Sequence, residues 1–290
     1  MPTALGVVFL PFLPPERLQS VAQAADAAGL DELWLWEDCF RESGVASAAA
    51  ALAWTRRLRI GVGLLPVPLR NVALTAMEMS TLSRMFPGRI LTGVGHGVQG
   101  WMGQVGARVS SPLTLLREYT TALRSLLDGA TVTTRGRYVR LDGVALDWPP
   151  KPPPPLLAGA EGPRSIALCG ELADGTILAG GTTPDGVRHA VELIKDARSA
   201  AGVTGPHSIT VYVIAATGPA AQERLARELA VWNHDASADV GVAGDAAEVA
   251  AALRRWVDAG ADTVVLQPTR DDPDLEGFIR FAAQEVRPLL

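Results

Sequence analysis

Short apolar runs alternate with longer amphipathic segments along almost the whole chain. An unbroken apolar run predicts a strand buried on both faces of a parallel sheet, whereas apolar residues recurring every three or four positions predict a helix. Amphipathic segments with this helical spacing separate most of the apolar runs. The runs predict eight strands: Ala4 to Leu10, Glu32 to Trp36, Arg59 to Leu65, Ile90 to Val94, Leu156 to Ala158, Gly175 to Leu178, Ser208 to Ala215 and Thr263 to Gln267.

Eight strands alternating with helices most simply close into a (β/α)8 TIM barrel, and we expect a single barrel domain over residues 1–290. A doubly wound open sheet is the alternative. Its dinucleotide fingerprint would lie in the first strand–helix turn, but that turn reads LPFLPPE and contains no glycine. Two β-favouring runs around Arg135-Gly136 predict an inserted hairpin near residues 131–141.

Charge and composition narrow the class of partner. A net charge of −5 argues against nucleic-acid binding, which needs a basic surface. No apolar run reaches the roughly 18 residues that a membrane span needs, and no basic lead precedes the first apolar run. The two cysteines, Cys39 and Cys169, form no disulfide framework. We therefore expect a cytoplasmic protein that binds neither nucleic acid nor membrane.

Polar residues and glycines follow the predicted strands at the edge where α/β proteins place their sites. No HExxH, paired cysteines, GxSxG or Walker loop is found in the sequence. Glu37, Asp38 and His96 could be assembled into a metal site, but three ligands on separate loops follow no spacing rule, and we predict no metal. The candidates are Trp36, Glu37 and Asp38 after the second strand, His96, Gly97 and Trp101 after the fourth, and Gly159, Ala160 and Gly162 after the fifth.

The start of the helix after the fifth strand has the features of an anion site. Glycines at 159 and 162 precede Pro163, and Arg164 and Ser165 add a cation and a hydroxyl beside free backbone N–H groups. This combination suits phosphate binding at a helix N-terminus. An ordinary strand–helix turn that begins with proline is the alternative.

Several segments together resemble the bacterial luciferase-like monooxygenase superfamily, and within it the branch that uses the deazaflavin coenzyme F420. Their order and spacing carry the resemblance over essentially the whole chain. The segments are AADAAGLDELWLWED (24–38), RLRIGVGLLPVPLRN (57–71), FPGRILTGVGHG (86–97), LLAGAEGPRSIALCGELADGTILAGG (156–181) and AALRRWVDAGADTVVLQP (251–268).

The resemblance implies roles for particular residues. The family's third strand carries a bulge, commonly with a non-prolyl cis peptide, that backs the central ring of the flavin, and it corresponds to Gly63, Leu64 and Leu65. The loop after the fourth strand touches the cofactor, which places His96 and Gly97 beside it. The family's phosphate-binding segment corresponds to Gly159, Ala160, Gly162, Pro163, Arg164 and Ser165.

Proton handling is where this sequence departs from the family pattern. The acidic residue that ends the family's second strand corresponds to Glu37, but the histidine that follows it in many relatives is Asp38 here. Glu37, Asp38 and His96 are therefore the candidate catalytic residues. Each could instead be a structural hydrogen-bonding group.

The resemblance implies an oxidoreductase that transfers a hydride between bound coenzyme F420 and a small organic substrate, with the cofactor supplying the difficult chemistry. Trp36, Trp101 and Met102 would give the substrate pocket its apolar cover. A monooxygenase that uses reduced FMN and oxygen, and a flavin-binding protein without activity, are the alternatives. We expect a small molecule as the partner and consider a homodimer as the assembly.

Overall fold

The computed structural model describes residues 3–235 and 237–290. Within these residues, none of the helices is both long enough and apolar enough to cross a bilayer. The strands are β1 (Ala4–Phe9), β2 (Glu32–Leu35), β3 (Arg59–Pro66), β4 (Ile90–Gly95), β5 (Val132–Arg135), β6 (Arg140–Val144), β7 (Leu156–Ala160), β8 (Gly175–Leu178), β9 (Ser208–Ala216), β10 (Gly241–Ala243) and β11 (Thr263–Pro268). The α-helices are α1 (Leu18–Ala28), α2 (Gly44–Trp54), α3 (Val72–Met85), α4 (Gln99–Gln104), α5 (Pro112–Leu127), α6 (Pro163–Leu172), α7 (Pro184–Ala201), α8 (Ala221–Val231), α9 (Ala246–Asp258) and α10 (Leu275–Arg280).

Eight of the described strands form a closed parallel barrel. Their order is β1, β2, β3, β4, β7, β8, β9 and β11, and β11 pairs with β1 to complete the ring. These are the eight strands that the apolar runs predict, so the (β/α)8 barrel is confirmed. The open sheet is wrong, because β8 also pairs with β9 and leaves the ring without an edge.

The barrel interior is filled from β2 by one large aromatic side chain. Trp34 is fully buried, and its indole N–H donates to Glu32 Oε2 at 2.8 Å. A Cβ at Gly61 of the neighbouring β3 would lie 2.4 Å from the Trp34 ring, so glycine is required there. The glycines of β3 therefore make room for the core as well as for any ligand.

The hairpin of β5 and β6 is inserted between α5 and β7 and is antiparallel. Glu118 of α5 fixes its turn, because the carboxylate accepts from the backbone N–H groups of Arg137, Tyr138 and Val139 at 2.9, 2.8 and 3.0 Å. Slight desolvation opposes these three hydrogen bonds, but together with Arg137 they hold the pKa of Glu118 below its ordinary value.

Two short elements were not predicted from the sequence. The helix α4 lies where a glycine-rich loop is expected, and its QGWMGQ sequence contains two poor helix formers. Its Met102 is fully buried, so packing rather than intrinsic propensity supports the helix. The strand β10 is three residues long and pairs with β9 outside the ring. It is too short to give a periodic signal.

Candidate active site

The third strand of the barrel bulges towards the mouth. Strand β3 pairs with β4 in register up to Val62, and the pairing resumes with Leu65 opposite Val94. The Gly63–Leu64 peptide within the bulge is cis. The bulge and the cis peptide that the resemblance implies are thus confirmed at the expected residues. That Gly63, Leu64 and Leu65 contact a cofactor stays a prediction.

Leu64 explains why the neighbouring strands end in glycine. A Cβ at Gly95 of β4 would lie 2.5 Å from Leu64 Cδ2, and a Cβ at Gly159 of β7 would lie 2.3 Å from the same atom. Both distances are shorter than any real contact, so the side chain of Leu64 in this position needs both glycines. The sequence predicts Gly159 only as part of the anion site. In the structure both glycines accommodate the bulge, whose partly exposed leucine then forms part of the barrel mouth.

His96 follows β4 and connects that strand end to the start of α6. Its Nε2 lies 2.9 Å from Ser165 Oγ, and its backbone oxygen accepts from the side-chain amide of Gln99 at 3.1 Å. Within the described residues, the buried His96 Nδ1 has no hydrogen-bond partner. Burial lowers the pKa of His96 below its ordinary value, although the backbone oxygen of Pro112 raises it. The imidazole is therefore held neutral, with Nε2 fixed by Ser165 and Nδ1 buried.

The start of α6 presents backbone N–H groups to solvent beside this histidine. Gly162 is the N-cap and supplies no side-chain cap, and Pro163 occupies the first turn. Gly162, Pro163 and Arg164 are exposed, whereas Ser165 is partly buried and contacts His96. Gly159 and Ala160, which precede this turn, are buried within β7. They can therefore form the bottom of the candidate site but are not exposed to solvent. The exposed first turn retains the partial positive charge that favours an anion.

Glu37, which follows β2, is held in an ion pair with Arg70, which follows β3. Its Oε1 lies 3.0 Å from Arg70 Nη1, and its Oε2 accepts from the backbone N–H of Gly44 at 2.9 Å. The Glu37 and Arg70 side chains are only 8% and 12% exposed, and Arg70 also pairs with Glu78. Sequence reasoning missed Arg70, which lies far from Glu37 along the chain. This arrangement favours the structural reading of Glu37 over the catalytic one.

We therefore expect Glu37→Gln to lower the free energy of unfolding by about 1–3 kcal/mol, because it leaves a buried guanidinium with weaker partners. Chemical denaturation measures the change. Glu171→Gln is the matched control, since its pair with Arg117 at 2.6 Å is more exposed and should contribute little. Equal losses in the two variants would contradict a structural role for the buried pair.

Asp38 and the aromatic candidates differ in burial and in the residues they contact. Asp38 is partly buried, and desolvation raises the pKa of its carboxyl while Arg41 opposes that shift. Trp36 packs edge-on against Tyr212 with ring centroids 5.6 Å apart. Trp101 is partly exposed, but Met102 is fully buried and lies beneath Gly97, so it does not line the open mouth.

The three predicted proton-handling residues do not form one cluster. In the described part of the chain, the side-chain hydrogen bond of His96 goes to Ser165, whereas those of Glu37 go to Arg70 and Gly44. The described residues also include no group of three or more histidine, cysteine, aspartate or glutamate side chains placed to hold a metal ion. Of the three, His96 thus keeps one ring nitrogen, Nδ1, without a hydrogen-bond partner among the described residues.

Comparison with known proteins agrees with this architecture. A 5,10-methylenetetrahydromethanopterin reductase of Methanolobus tindarius is 30% identical over 60% of this chain and 53% of its own length. The chain thus spans about half the length of that relative. An F420-dependent glucose-6-phosphate dehydrogenase of Kineococcus radiotolerans is 26% identical over 95% of this chain and 93% of its own length.

A solved structure titled as an F420-dependent secondary alcohol dehydrogenase in complex with an F420-acetone adduct superposes with a TM-score of 0.89 over all of both chains, at 20% identity. At that identity the likeness shows the fold alone. Residues 5–241 match the family described as luciferase-like monooxygenase. This match covers most of the chain, and the chain belongs to the luciferase-like monooxygenase family.

Proposed function

We propose that this chain is an oxidoreductase that exchanges a hydride between bound coenzyme F420 and a small organic substrate. The observation that carries the proposal is the contact of 2.9 Å between His96 Nε2 and Ser165 Oγ. It joins the candidate proton-handling group to the candidate anion site at one place in the barrel mouth. The relative from Kineococcus radiotolerans, named as F420-dependent, aligns with this chain over nearly its full length and supports the choice of cofactor.

The residues at the mouth fit such a cofactor in chemistry. The start of α6, with exposed Gly162 and Arg164, would hold an anionic tail. The bulge at Gly63 to Leu65 would support a ring system, and the buried, unpartnered Nδ1 of His96 would find a hydrogen-bond partner there or on the substrate. When bound, the deazaflavin supplies a carbon that accepts or donates a hydride.

The contribution of the chain is binding, orientation and proton handling. Ser165 fixes the His96 ring through Nε2, so Nδ1 keeps a defined direction. A neutral imidazole in a partly buried site can accept a proton from a substrate hydroxyl as the hydride leaves, or return one in the reverse direction. Burial lowers the pKa of His96, which keeps the ring neutral at physiological pH.

We expect Arg164→Ala to weaken coenzyme F420 binding by about 10- to 100-fold, because a charge-assisted contact to an anion is lost. Gly162→Leu should weaken it as well without unfolding the protein. Gly162 has a φ of −85° and a Cβ there would meet no atom within 4 Å, so the backbone and the space around Cβ accept a side chain.

Fluorescence titration with coenzyme F420 measures both effects. Arg188→Ala is the matched control, since Arg188 lies in the exposed first turns of the next helix, α7. Unchanged affinity in both Arg164→Ala and Gly162→Leu would remove the start of α6 from the site.

A further inference from the structure

Gln267, near the end of β11, has a buried side-chain amide whose N–H donor finds no acceptor among the described residues. Val265, two residues earlier on the same strand, lies in the cluster that fills the barrel interior, and the alternation of a strand turns Gln267 to the same side. The residue is 1% exposed, and its Nε2 has no hydrogen-bond partner within residues 3–235 and 237–290. Buried polar groups are normally paired, so an unpaired donor inside the barrel indicates a ligand-binding group.

Aromatic side chains surround Gln267 in the half of the mouth that is formed by β1, β2, β9 and β11. Tyr212 of β9 pairs in register with Val265, one step below Gln267. Trp36 lies edge-on to Tyr212 at 5.6 Å and to Trp232 at 6.3 Å between ring centroids. Trp232 follows α8 and is 38% exposed, so an apolar wall extends from the barrel interior to solvent. Such walls bind rings and hydrocarbon groups.

The guanidinium groups beside the aromatic wall already have partners. Arg270 Nε lies 3.1 Å from Glu228 Oε2, and Glu228 also accepts from the Trp232 indole N–H at 2.7 Å. Arg224 pairs with Asp272 at 3.0 Å, and both of these side chains are buried.

A further cation, Arg41, lies over the ring of Phe12 at 4.6 Å and donates to the backbone oxygen of Pro11 at 3.2 Å. Its guanidinium is thus held against the rim. Among the described residues, this half of the mouth therefore offers an apolar wall and an amide donor, and it lacks the cluster of available cations that phosphate recognition requires.

We infer that this half of the mouth is the substrate pocket, and that it takes an uncharged molecule with a ring or branched hydrocarbon body and a carbonyl or hydroxyl oxygen. The Gln267 amide donates to that oxygen, and Trp36 and Trp232 cover the hydrocarbon body. The inference rests on the proposed function and narrows its substrate class. It separates this chain from its relative named as a glucose-6-phosphate dehydrogenase, whose named substrate carries a phosphate.

The test measures the Kd of cyclohexanone and of glucose 6-phosphate by saturation-transfer NMR on protein loaded with coenzyme F420. Gln267→Leu should weaken cyclohexanone binding about 3- to 10-fold, as expected for one lost hydrogen bond. Trp232→Ala should weaken it about tenfold through the lost aromatic wall. Trp148→Ala, which truncates a tryptophan that is 71% exposed and packs against Arg84, should leave Kd unchanged. Should Gln267→Leu not fold, Gln267→Met keeps a more similar shape and removes the same donor.

Two results would overturn the inference: tighter binding of glucose 6-phosphate than of cyclohexanone to the unmodified protein, or an unchanged Kd for cyclohexanone in a folded Gln267 variant. Loading the protein with coenzyme F420 distinguishes failure of the pocket inference from failure of the proposed function. If coenzyme F420 does not bind, the proposed function fails, and titration of the unloaded protein with cyclohexanone still tests the pocket.

Discussion

His96→Ala is expected to lower turnover of coenzyme F420 by about 10²- to 10⁴-fold, the range for loss of a general acid or base. The histidine carries a buried nitrogen without a partner in the described structure and a second nitrogen fixed by Ser165. Steady-state kinetics on the cofactor-loaded variant measures the change, and coenzyme F420 affinity should fall much less. If binding is abolished instead, the histidine holds the cofactor and does not handle the proton.

Ser165→Ala provides the matched comparison, because it removes the group that orients the ring while leaving the ring in place. We expect a smaller loss of turnover than in His96→Ala. In the direction that takes a proton from the substrate, activity of the unmodified protein should be lost as pH falls through the pKa of His96, which burial lowers from its ordinary value. Ser165→Ala should shift this acidic limb, whereas a purely structural role would leave its position unchanged.

Gly63→Ala is expected to lower the free energy of unfolding by about 3 kcal/mol, at the upper end for overpacking in a core. The added Cβ would lie 2.2 Å from the Tyr212 hydroxyl oxygen and 3.0 Å from the Trp34 ring. Relief of this overlap must move the bulge, so coenzyme F420 affinity should fall together with stability. Chemical denaturation and fluorescence titration measure the two losses.

The clash partner offers a control within the chain. Tyr212→Phe removes the hydroxyl that the new Cβ would meet, so Gly63→Ala combined with Tyr212→Phe should be more stable than the sum of the two single variants predicts. A double-mutant cycle gives this coupling. If the stability losses of the two single variants add exactly, the Cβ added at Gly63 overlaps with a group other than the Tyr212 hydroxyl.

Apolar runs were sufficient to locate the barrel, because a parallel strand buried on both faces leaves an unbroken hydrophobic signature. Apolar runs alone cannot show whether a glycine near the end of a strand makes room for a ligand or for a neighbouring side chain. Gly159 is predicted as part of the anion site, yet Gly159 and Gly95 both accommodate Leu64, whose position depends on the bulge in a different strand. That contact joins residues of different strands, so it cannot be predicted from sequence spacing.

The roles of the site residues were also only partly predictable from the sequence. Glu37 was a catalytic candidate because of its place after a strand, but its partner Arg70 is 33 residues away and the pairing becomes visible only in three dimensions. In the sequence, Gln267 is only the polar end of the last predicted strand. Its importance comes from an amide N–H that has no acceptor among the described residues, which is a property of the fold and not of the sequence.

The most direct measurement is the rate of absorbance change of coenzyme F420 with a panel of uncharged alcohols and ketones, followed under air and under argon. The deazaflavin exchanges a hydride without oxygen, so the account predicts turnover at equal rates in both atmospheres, with saturation in coenzyme F420. No absorbance change with any member of the panel, together with oxygen-dependent product formation from reduced FMN, would contradict it.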